Sequence, residues 1–169
     1  TTLFRSWIAC IVVTILLTEF ILNFVIINAN IPSGSMENTI MTNDKLIALR
    51  TSYWFNDPKR GDIIIFKYPD DETEWFIKRV IALPGETVLV KDGKVYINGS
   101  KKALSEPYIK EEPVEDFGPY KVPKNGYFVM GDNRNNSNDA REWETHYVSR
   151  DEVLGKAWFR YYPSIKVIK

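Results

Sequence analysis

The sequence predicts a mainly β, antiparallel and barrel-like domain that follows one N-terminal transmembrane helix. Residues 8–27 form a single apolar run with one charge, whereas the chain beyond residue 44 consists of short apolar segments separated by turn residues. Aromatic side chains make up 14% of the 169 residues, a composition that favours strands. We therefore divide the chain into an anchor, 1–30, and a β-rich domain, 31–169.

The apolar run is long enough to cross a bilayer. A helix over residues 7–27, at about 1.5 Å per residue, spans the roughly 30 Å hydrocarbon core. Glu19 lies within it, near Thr14, Thr18 and Asn23 on one helical side. An ionised carboxylate at that depth costs several kcal/mol unless it is paired or protonated, so this polar stripe is expected to face a partner or water.

Two alternatives to a membrane span are a cleaved signal peptide and an amphipathic helix packed on the domain. The run is longer than the apolar core of most signal peptides, and no small-residue cleavage site follows it. Arg5 is the only basic residue before Lys45. By the positive-inside rule, the N-terminus is expected in the cytoplasm and the remaining domain on the outer face.

Alternating apolar and polar residues, bounded by turn residues, predict the strands. These are residues 45–49, 62–68, 74–83, 88–91, 94–97, 127–130 and 157–161. The clearest hairpin turns at Asp92-Gly93, a dipeptide typical of a type I′ turn. Residues 99–123 contain scattered prolines, glycines and acidic residues without a regular pattern, and we predict a small irregular cap on the β core.

Composition excludes several classes of function. The 22 basic and 22 acidic side chains cancel, which argues against an extended nucleic-acid-binding surface. Cys10 is the only cysteine, so an intramolecular disulfide, a CxxC redox pair and a cysteine-based zinc site are excluded. His146 is the only histidine and lies in a polar stretch, which indicates an ordinary loop residue rather than the base of a Ser-His-Asp triad.

A candidate nucleophile follows the apolar run. Ser35 lies eight residues after Ile27, in Ser33-Gly34-Ser35, where the glycine permits a tight turn and close approach of another chain. A serine hydroxyl needs a base to remove its proton before it can attack. By itself this tripeptide favours a plain turn with locally bonded hydroxyls.

Lys78 is the candidate base. In the predicted strand 74–83 it shares a face with Phe76 and Val80, because alternate residues point the same way. Apolar neighbours desolvate an ammonium group and lower its pKa, and a shift of roughly three units from about 10.4 is needed near neutrality. The alternative is that Lys78 lies at the edge of the sheet, where its ammonium group reaches water. Arg79 faces the other way and is permanently protonated.

The third candidate element is the polar loop, residues 131–141, which follows the strand 127–130. Such a sequence favours either a solvated surface or a hydrogen-bonded platform beneath an active site. Asp139 and Arg141 can form an ion pair, and Ser137 can orient an amine. Calcium needs about six or more oxygen ligands, and the loop lacks the glutamate spacing of an EF-hand, so we expect neither a metal nor a cofactor.

These residues together resemble the type I signal peptidases, membrane-bound Ser/Lys proteases that remove signal peptides from exported proteins. The matching stretches are residues 33–36, 60–66, 77–86 and 131–141, in that order. The likeness covers about residues 31–160 and the preceding apolar run. The chain looks like the compact Gram-positive forms, because its cap is shorter than the second domain of some Gram-negative members.

The departures from the family pattern are modest. The family often has proline where Asn38 stands, an acid where Asn135 stands and serine where Ala140 stands. We expect these differences to affect local turns and not the Ser/Lys pair.

The resemblance implies a mechanism. Neutral Lys78 accepts the proton of Ser35, and the oxyanion is held by the Ser35 backbone N–H and the Ser33 hydroxyl. The implied supporting residues are Ser137, which orients Lys78, and the ion pair of Asp139 and Arg141. The substrate is expected to bind extended, with small side chains just before the cut and two residues earlier.

The resemblance also implies signal peptides of secreted preproteins, the lipid bilayer and the protein export machinery as partners, with no nucleic acid. The expected location is a single pass through the plasma membrane, with the catalytic domain on the extracytoplasmic side. Two alternatives remain: a catalytically silent, membrane-tethered scaffold, and another Ser/Lys protease such as a repressor-type self-cleaving domain. The presence of both Ser35 and Lys78 argues against the first, and the membrane run against the second.

Overall fold

An N-terminal helix precedes two antiparallel sheets in the computed structural model, which describes residues 2–168 and side chains from Phe4 onward. The helix α1, Thr2–Phe20, continues as a π-helical turn over Ile21–Val25. The strands are β1 Ile26–Asn30, β2 Lys45–Leu49, β3 Ile63–Tyr68, β4 Asp71–Ala82, β5 Thr87–Lys91, β6 Lys94–Ile97, β7 Phe117–Lys121, β8 Gly126–Met130, β9 Val148–Ser149, β10 Val153–Tyr162 and β11 Lys166–Val167.

The helical segment is apolar and lies outside the core. Phe4–Val25 has 22 residues, enough by length and composition to cross a membrane. Three of its polar side chains bond within the segment: Thr14 Oγ1 donates to Cys10 O at 2.8 Å, and Asn23 Nδ2 donates to Glu19 O at 2.8 Å and to Glu19 Oε2 at 3.1 Å. These bonds lower the cost of placing polar groups in lipid.

The helix ends earlier than the sequence predicts. The apolar run extends to residue 27 and the predicted anchor to residue 30, whereas residues 26–30 form β1 and pair with β2. Ile27 is buried in the core, while Asn28 is exposed, as expected for alternating faces of a strand. The apolar run therefore merges two elements, because β-branched residues suit a membrane helix and a strand alike.

The large sheet has the order β1-β2-β10-β3-β4-β8-β9, with β11 paired to β10, and the small sheet has the order β6-β5-β7. The predicted mainly β, antiparallel fold class is confirmed. At the β5–β6 hairpin, Asp92 and Gly93 have φ values of 49° and 74°, the positive values that a type I′ turn requires.

One strand lies in a segment that the sequence predicts to be irregular. β7 lies inside residues 99–123, the segment predicted to be irregular, and pairs with β5. It contains Gly118 and Pro119, residues that are uncommon inside strands. Pairing with β5, rather than any local pattern, accounts for its extended conformation.

Two apolar clusters lie on opposite faces of β3. Ile63 and Ile65 pack in one cluster and Ile64 in the other, so residues 63–66 of β3 are buried on both faces and are all apolar. Met36 and Ile40 join the first cluster and are 0% and 1% exposed. This cluster anchors the segment that carries Ser35.

A buried ion pair joins β4 to the polar loop. Arg79 Nε and Nη2 donate to the two carboxylate oxygens of Asp132 at 2.8 and 2.6 Å, and the side chains are 2% and 0% exposed. Arg79 Nη1 also donates to Gly61 O at 2.9 Å, and the guanidinium lies 3.8 Å from the centre of the Tyr108 ring. Arg79 thus faces away from the candidate site, as the alternation of β4 predicts.

Asp132→Asn is expected to destabilise the protein by about 3 kcal/mol, because it removes the counter-charge of a buried guanidinium. The midpoint of thermal unfolding in detergent, followed by circular dichroism, measures this loss. The matched control is Glu72→Gln, which removes a carboxylate from the exposed pair with Lys67 and is expected to change stability by less than about 0.5 kcal/mol. Equal midpoints for the two variants would contradict a structural role for the buried pair.

Candidate active site

Ser35 and Lys78 meet at a cleft between β4 and the nucleophile turn, residues 33–38. Lys78 Nζ lies 2.7 Å from Ser35 Oγ, and the two residues are 4% and 7% exposed. The cleft has a volume of about 520 Å³. It is lined by Pro32, Ser33, Gly34, Ser35, Glu74, Trp75, Phe76, Ile77, Lys78, Asn136 and Asn138. The structure thus brings together the two residues that the sequence selects as nucleophile and base.

Burial lowers the pKa of Lys78 to about 8. The carboxylate of Asp139 raises this pKa and the guanidinium of Arg141 lowers it, but desolvation is the dominant effect. Lys78 Nζ lies 5.3 Å from the centre of the Phe76 ring, on the face that the strand pattern predicts. The amine is therefore partly neutral near pH 8 and able to accept a proton. Because Lys78 is buried, the alternative in which its ammonium group reaches water from a sheet edge is wrong.

The polar loop holds the nucleophile turn through Asn133. Its backbone N donates to Ser35 O at 3.0 Å, and its Nδ2 donates to Gly34 O at 3.0 Å. Within the turn, Glu37 N donates to Gly34 O at 3.1 Å. Sequence analysis missed Asn133 because it is one of several asparagines in a polar run, and no local pattern distinguishes it.

The polar loop is a bonded platform rather than a solvated surface. Arg141 Nε and Nη2 donate to the two carboxylate oxygens of Asp139 at 2.8 and 2.9 Å, so the predicted ion pair forms. Asp139 is 0% exposed and also accepts a hydrogen bond from Gly131 N at 2.9 Å. This ion pair closes the loop from Gly131 to Arg141 beside the Ser/Lys pair.

Ser137 does not make the contact that the resemblance implies. Its side chain is buried, but Ser137 Oγ has no hydrogen-bond partner among the described residues, so it does not bond to Lys78 here. The hydroxyl lies instead where a β-carbon on residue 131 would stand, beside Gly131. The contact expected from the resemblance is therefore absent, and the Ser137 side chain occupies the space that the glycine leaves.

Gly131→Ala is expected to lower the rate of any reaction that uses the Ser35–Lys78 pair about 100-fold, because a β-carbon there would overlap both the Ser137 hydroxyl and the Ser35 carbonyl oxygen. Initial rates and unfolding midpoints of the purified variant measure the effect. Gly99→Ala is the control: Gly99 has a φ of +68° but open space around it, so its substitution costs backbone strain without displacing Ser35. A rate for Gly131→Ala no lower than that for Gly99→Ala would contradict the close approach of the polar loop to the nucleophile turn.

Asn138 is a further cleft residue that sequence analysis missed. Its Oδ1 accepts a hydrogen bond from Trp143 Nε1 at 2.7 Å. Trp143 is 2% exposed and packs against aromatic rings, including that of Phe76. This bond fixes Asn138 at the wall of the cleft. Ser33 also lines the cleft and is exposed.

His146 has structural contacts. Its Nδ1 lies 2.8 Å from Ala140 O, and its ring packs edge-on to Phe117 and Tyr120. These contacts agree with the prediction of an ordinary loop histidine. Among residues 2–168, no group of three or more His, Cys, Asp or Glu side chains is arranged to hold a metal ion.

Two departures from the signal peptidase pattern have visible local effects. Asn38 has a φ of 86°, a value that proline cannot adopt. Asn135 Nδ2 donates to Glu112 O at 3.0 Å, a bond that an ionised acid cannot make. Ala140, at the third departure, is fully buried.

Comparisons with known proteins agree with the geometry of the site. A family model described as signal peptidase, peptidase S26, matches residues 4–162. The chain is 44% identical to a probable signal peptidase I-2 of Synechocystis sp., over 92% of this chain and 72% of that protein. It is 34% identical to a signal peptidase I of Bacillus amyloliquefaciens, over 97% of this chain and 91% of that protein.

A solved structure shows the same likeness in three dimensions. The crystal structure of a signal peptidase I from Enterococcus faecalis V583 is 36% identical to this chain and superposes with a TM-score of 0.52, covering 60% of this chain and 97% of that chain. Because the family model matches almost the whole chain and relatives over 30% identical extend across most of it, the protein belongs to the signal peptidase family, peptidase S26.

Proposed function

We propose that this protein is a membrane-anchored serine peptidase that removes signal peptides from exported preproteins, with Ser35 as nucleophile and Lys78 as general base. The observation that carries the proposal is the buried 2.7 Å contact between Ser35 Oγ and Lys78 Nζ. A silent scaffold has no need of a desolvated lysine against a serine hydroxyl, so the contact favours an enzyme.

Acylation begins with neutral Lys78. Its Nζ accepts the hydroxyl proton of Ser35 as Oγ attacks the scissile carbonyl carbon. The carbonyl oxygen becomes an oxyanion, and the Ser35 backbone N–H and the Ser33 hydroxyl donate to it. When the intermediate collapses, the leaving amine takes the proton from Lys78, and the signal peptide remains joined to Ser35 as an ester.

Deacylation uses the same base. Lys78 accepts a proton from water, the water oxygen attacks the ester, and the departing Ser35 oxygen regains its proton from Lys78. Asp139 and Arg141 brace the polar loop beside the dyad. We assign the orientation of Lys78 to Ser137, whose buried hydroxyl has no partner among the described residues and is available to the ammonium formed during the reaction.

The substrate adds as an extended strand at β4. β3 pairs along Asp71 to Arg79 of β4, whereas β8 pairs only with Arg79, Val80 and Ala82. Within residues 2–168, the cleft-lining stretch 74–77 therefore has no partner strand on that second edge, and a peptide backbone can bond there. Small side chains, typically alanine, are expected just before the cut and two residues earlier.

The apolar helix and the family together indicate a membrane-anchored protein. Residues 26–34 alone separate the helical segment from Ser35, which keeps the nucleophile near the bilayer surface. Because Arg5 lies at the N-terminal end of the span, we assign the catalytic domain to the extracytoplasmic side of the plasma membrane. In this arrangement, the protein export machinery supplies the substrate as it emerges.

Incubation of the full chain in lipid vesicles with a purified preprotein, followed by N-terminal sequencing of the product, tests the function. We expect one new N-terminus directly after a small residue, and no cut in a matched preprotein in which that residue is replaced by tryptophan. Binding of the preprotein without cleavage would contradict the proposal and support a catalytically silent scaffold. Cleavage confined to the protein itself would contradict it in favour of a self-cleaving domain.

A further inference from the structure

Residues 106–114, which we call the strap, contact both the nucleophile turn and the polar loop. Tyr108 O accepts a hydrogen bond from Asn38 Nδ2, in the nucleophile turn, at 3.0 Å. Two residues later, Lys110 N donates to Asp132 O, in the polar loop, at 3.1 Å. The strap therefore joins the nucleophile turn to the polar loop from outside the cleft.

Both ends of the strap are fixed to the polar loop. At one end, Arg134 Nη1 and Nη2 donate to the Glu106 carboxylate at 3.0 and 2.5 Å, and these side chains are 0% and 6% exposed. At the other end, Val114 N donates to Asn135 Oδ1 at 2.9 Å. The buried, two-bonded ion pair is the strong attachment, so the position of the strap does not depend on its exposed side chains.

Lys110, in the middle of the strap, begins a chain of contacts that ends at the nucleophile. Its Nζ donates to Glu37 Oε2 at 2.9 Å, and Asn133 Nδ2 lies 3.4 Å from the same oxygen. Asn133 Nδ2 also donates to Gly34 O at 3.0 Å. Gly34 O and the Ser35 N–H belong to one planar peptide unit, so a bond that fixes the first also fixes the direction of the second.

The exposed ion pair in this chain contributes little to folding. The side chains of Lys110 and Glu37 are 49% and 27% exposed. A pair of this kind contributes little to stability, because water screens the two charges. Its effect on the reaction can be larger, because complete loss of one oxyanion donor costs about 100-fold to 1,000-fold in rate and a partial rotation of the donor costs a share of that.

We propose that Lys110 is a positioning residue, whose ammonium group holds Glu37 and Asn133 so that the Ser35 N–H points at the developing oxyanion. The inference rests on the proposed function, since it concerns the rate of the same cleavage. It gives the cap predicted over residues 99–123 a role in the reaction. Lys110 acts through its neighbours and does not itself touch the substrate.

Steady-state cleavage of a preprotein by the Lys110→Met variant of the whole 169-residue chain in detergent tests the proposal. We expect kcat to fall about tenfold, while KM and the unfolding midpoint stay at the wild-type values. Lys110→Arg retains the charge and is expected to restore most of the rate. Lys101→Met makes the same change of charge at an exposed lysine outside the strap, and its kcat is expected to equal that of wild type.

Glu37→Gln supplies the second measurement. If Lys110 acts through Glu37, the single variants and the double variant lose the same factor in kcat, because they interrupt one chain of contacts. The inference would be overturned if the fold losses in kcat of the two single variants multiplied in the double variant. It would also be overturned if Lys110→Met had the same kcat as Lys101→Met. A tenfold loss accompanied by a lowered unfolding midpoint would overturn it as well. Failure of the wild-type protein to cleave the preprotein would instead overturn the proposed function.

Discussion

Ser35→Ala is expected to lower the cleavage rate at least about 10,000-fold, as removal of a nucleophile does in other serine proteases. Ser35 Oγ is the atom that contacts Lys78 Nζ at 2.7 Å and the atom on which the acyl group would form. Neighbouring Met36 is fully buried and keeps the turn in place, so the fold is expected to persist. Product formation and mass spectrometry of quenched reactions measure the loss of turnover and of the acyl-enzyme.

Ser33→Ala is the matched control for the nucleophile. Ser33 lies in the same turn, lines the same cleft and is proposed to donate one hydrogen bond to the oxyanion. Loss of such a donor lowers the rate by about 100-fold to 1,000-fold and leaves acyl-enzyme formation detectable. An acyl-enzyme in Ser35→Ala, or its absence from Ser33→Ala, would contradict the assignment of Ser35 as nucleophile.

Local patterns predicted the features that depend on local geometry. The alternation of β4 predicted that Lys78 shares an apolar face with Phe76 and that Arg79 points away, and the structure confirms both. The Asp92-Gly93 turn was predictable for the same reason, since its φ values follow from the two residue types. The contact between Ser35 and Lys78 spans 43 residues of sequence. The residue types suggested the pair, and the resemblance to a family supported it.

Features that depend on distant partners were not predictable from local patterns. The boundary between the helix and β1 is set by pairing with β2, and nothing within residues 26–30 marks it. Glu106 and Lys110 stand in an irregular, charged segment, and their roles depend on Arg134 and Glu37. For such residues, only the tertiary structure distinguishes a solvated charged side chain from one that forms an ion pair.

Lys78→Met is expected to abolish measurable cleavage, with a loss of at least about 10,000-fold, because methionine fills the same space but cannot accept a proton.

In the wild-type protein, the neutral fraction of Lys78 grows about tenfold per pH unit below its pKa of about 8. The wild-type kcat/KM is therefore expected to rise between pH 6 and 8 and then level off. Substantial cleavage by the variant, or a flat wild-type profile across this range, would contradict Lys78 as the base.

The same substitution is expected to stabilise the fold at neutral pH. Burial lowers the pKa of Lys78 from its ordinary value of 10.5 to about 8, so between these values the unfolded chain binds a proton that the folded protein lacks, and stability rises with pH. Below pH 8, the folded protein bears the full cost of the buried ammonium, about 3 kcal/mol from the difference between the two pKa values.

Lys78→Met removes this cost but also removes the hydrogen bond to Ser35, worth about 1 kcal/mol. The net gain at pH 7 is therefore about 2 kcal/mol, and it is expected to disappear by about pH 10, where the wild-type lysine is neutral in the fold and loses little by burial. Unfolding midpoints of both proteins in detergent at the two pH values measure the difference. A stability gain that persists unchanged at pH 10 would show that apolar packing of the methionine causes it. A gain confined to neutral pH would show that the buried ammonium group of Lys78 lowers the stability of the wild-type fold.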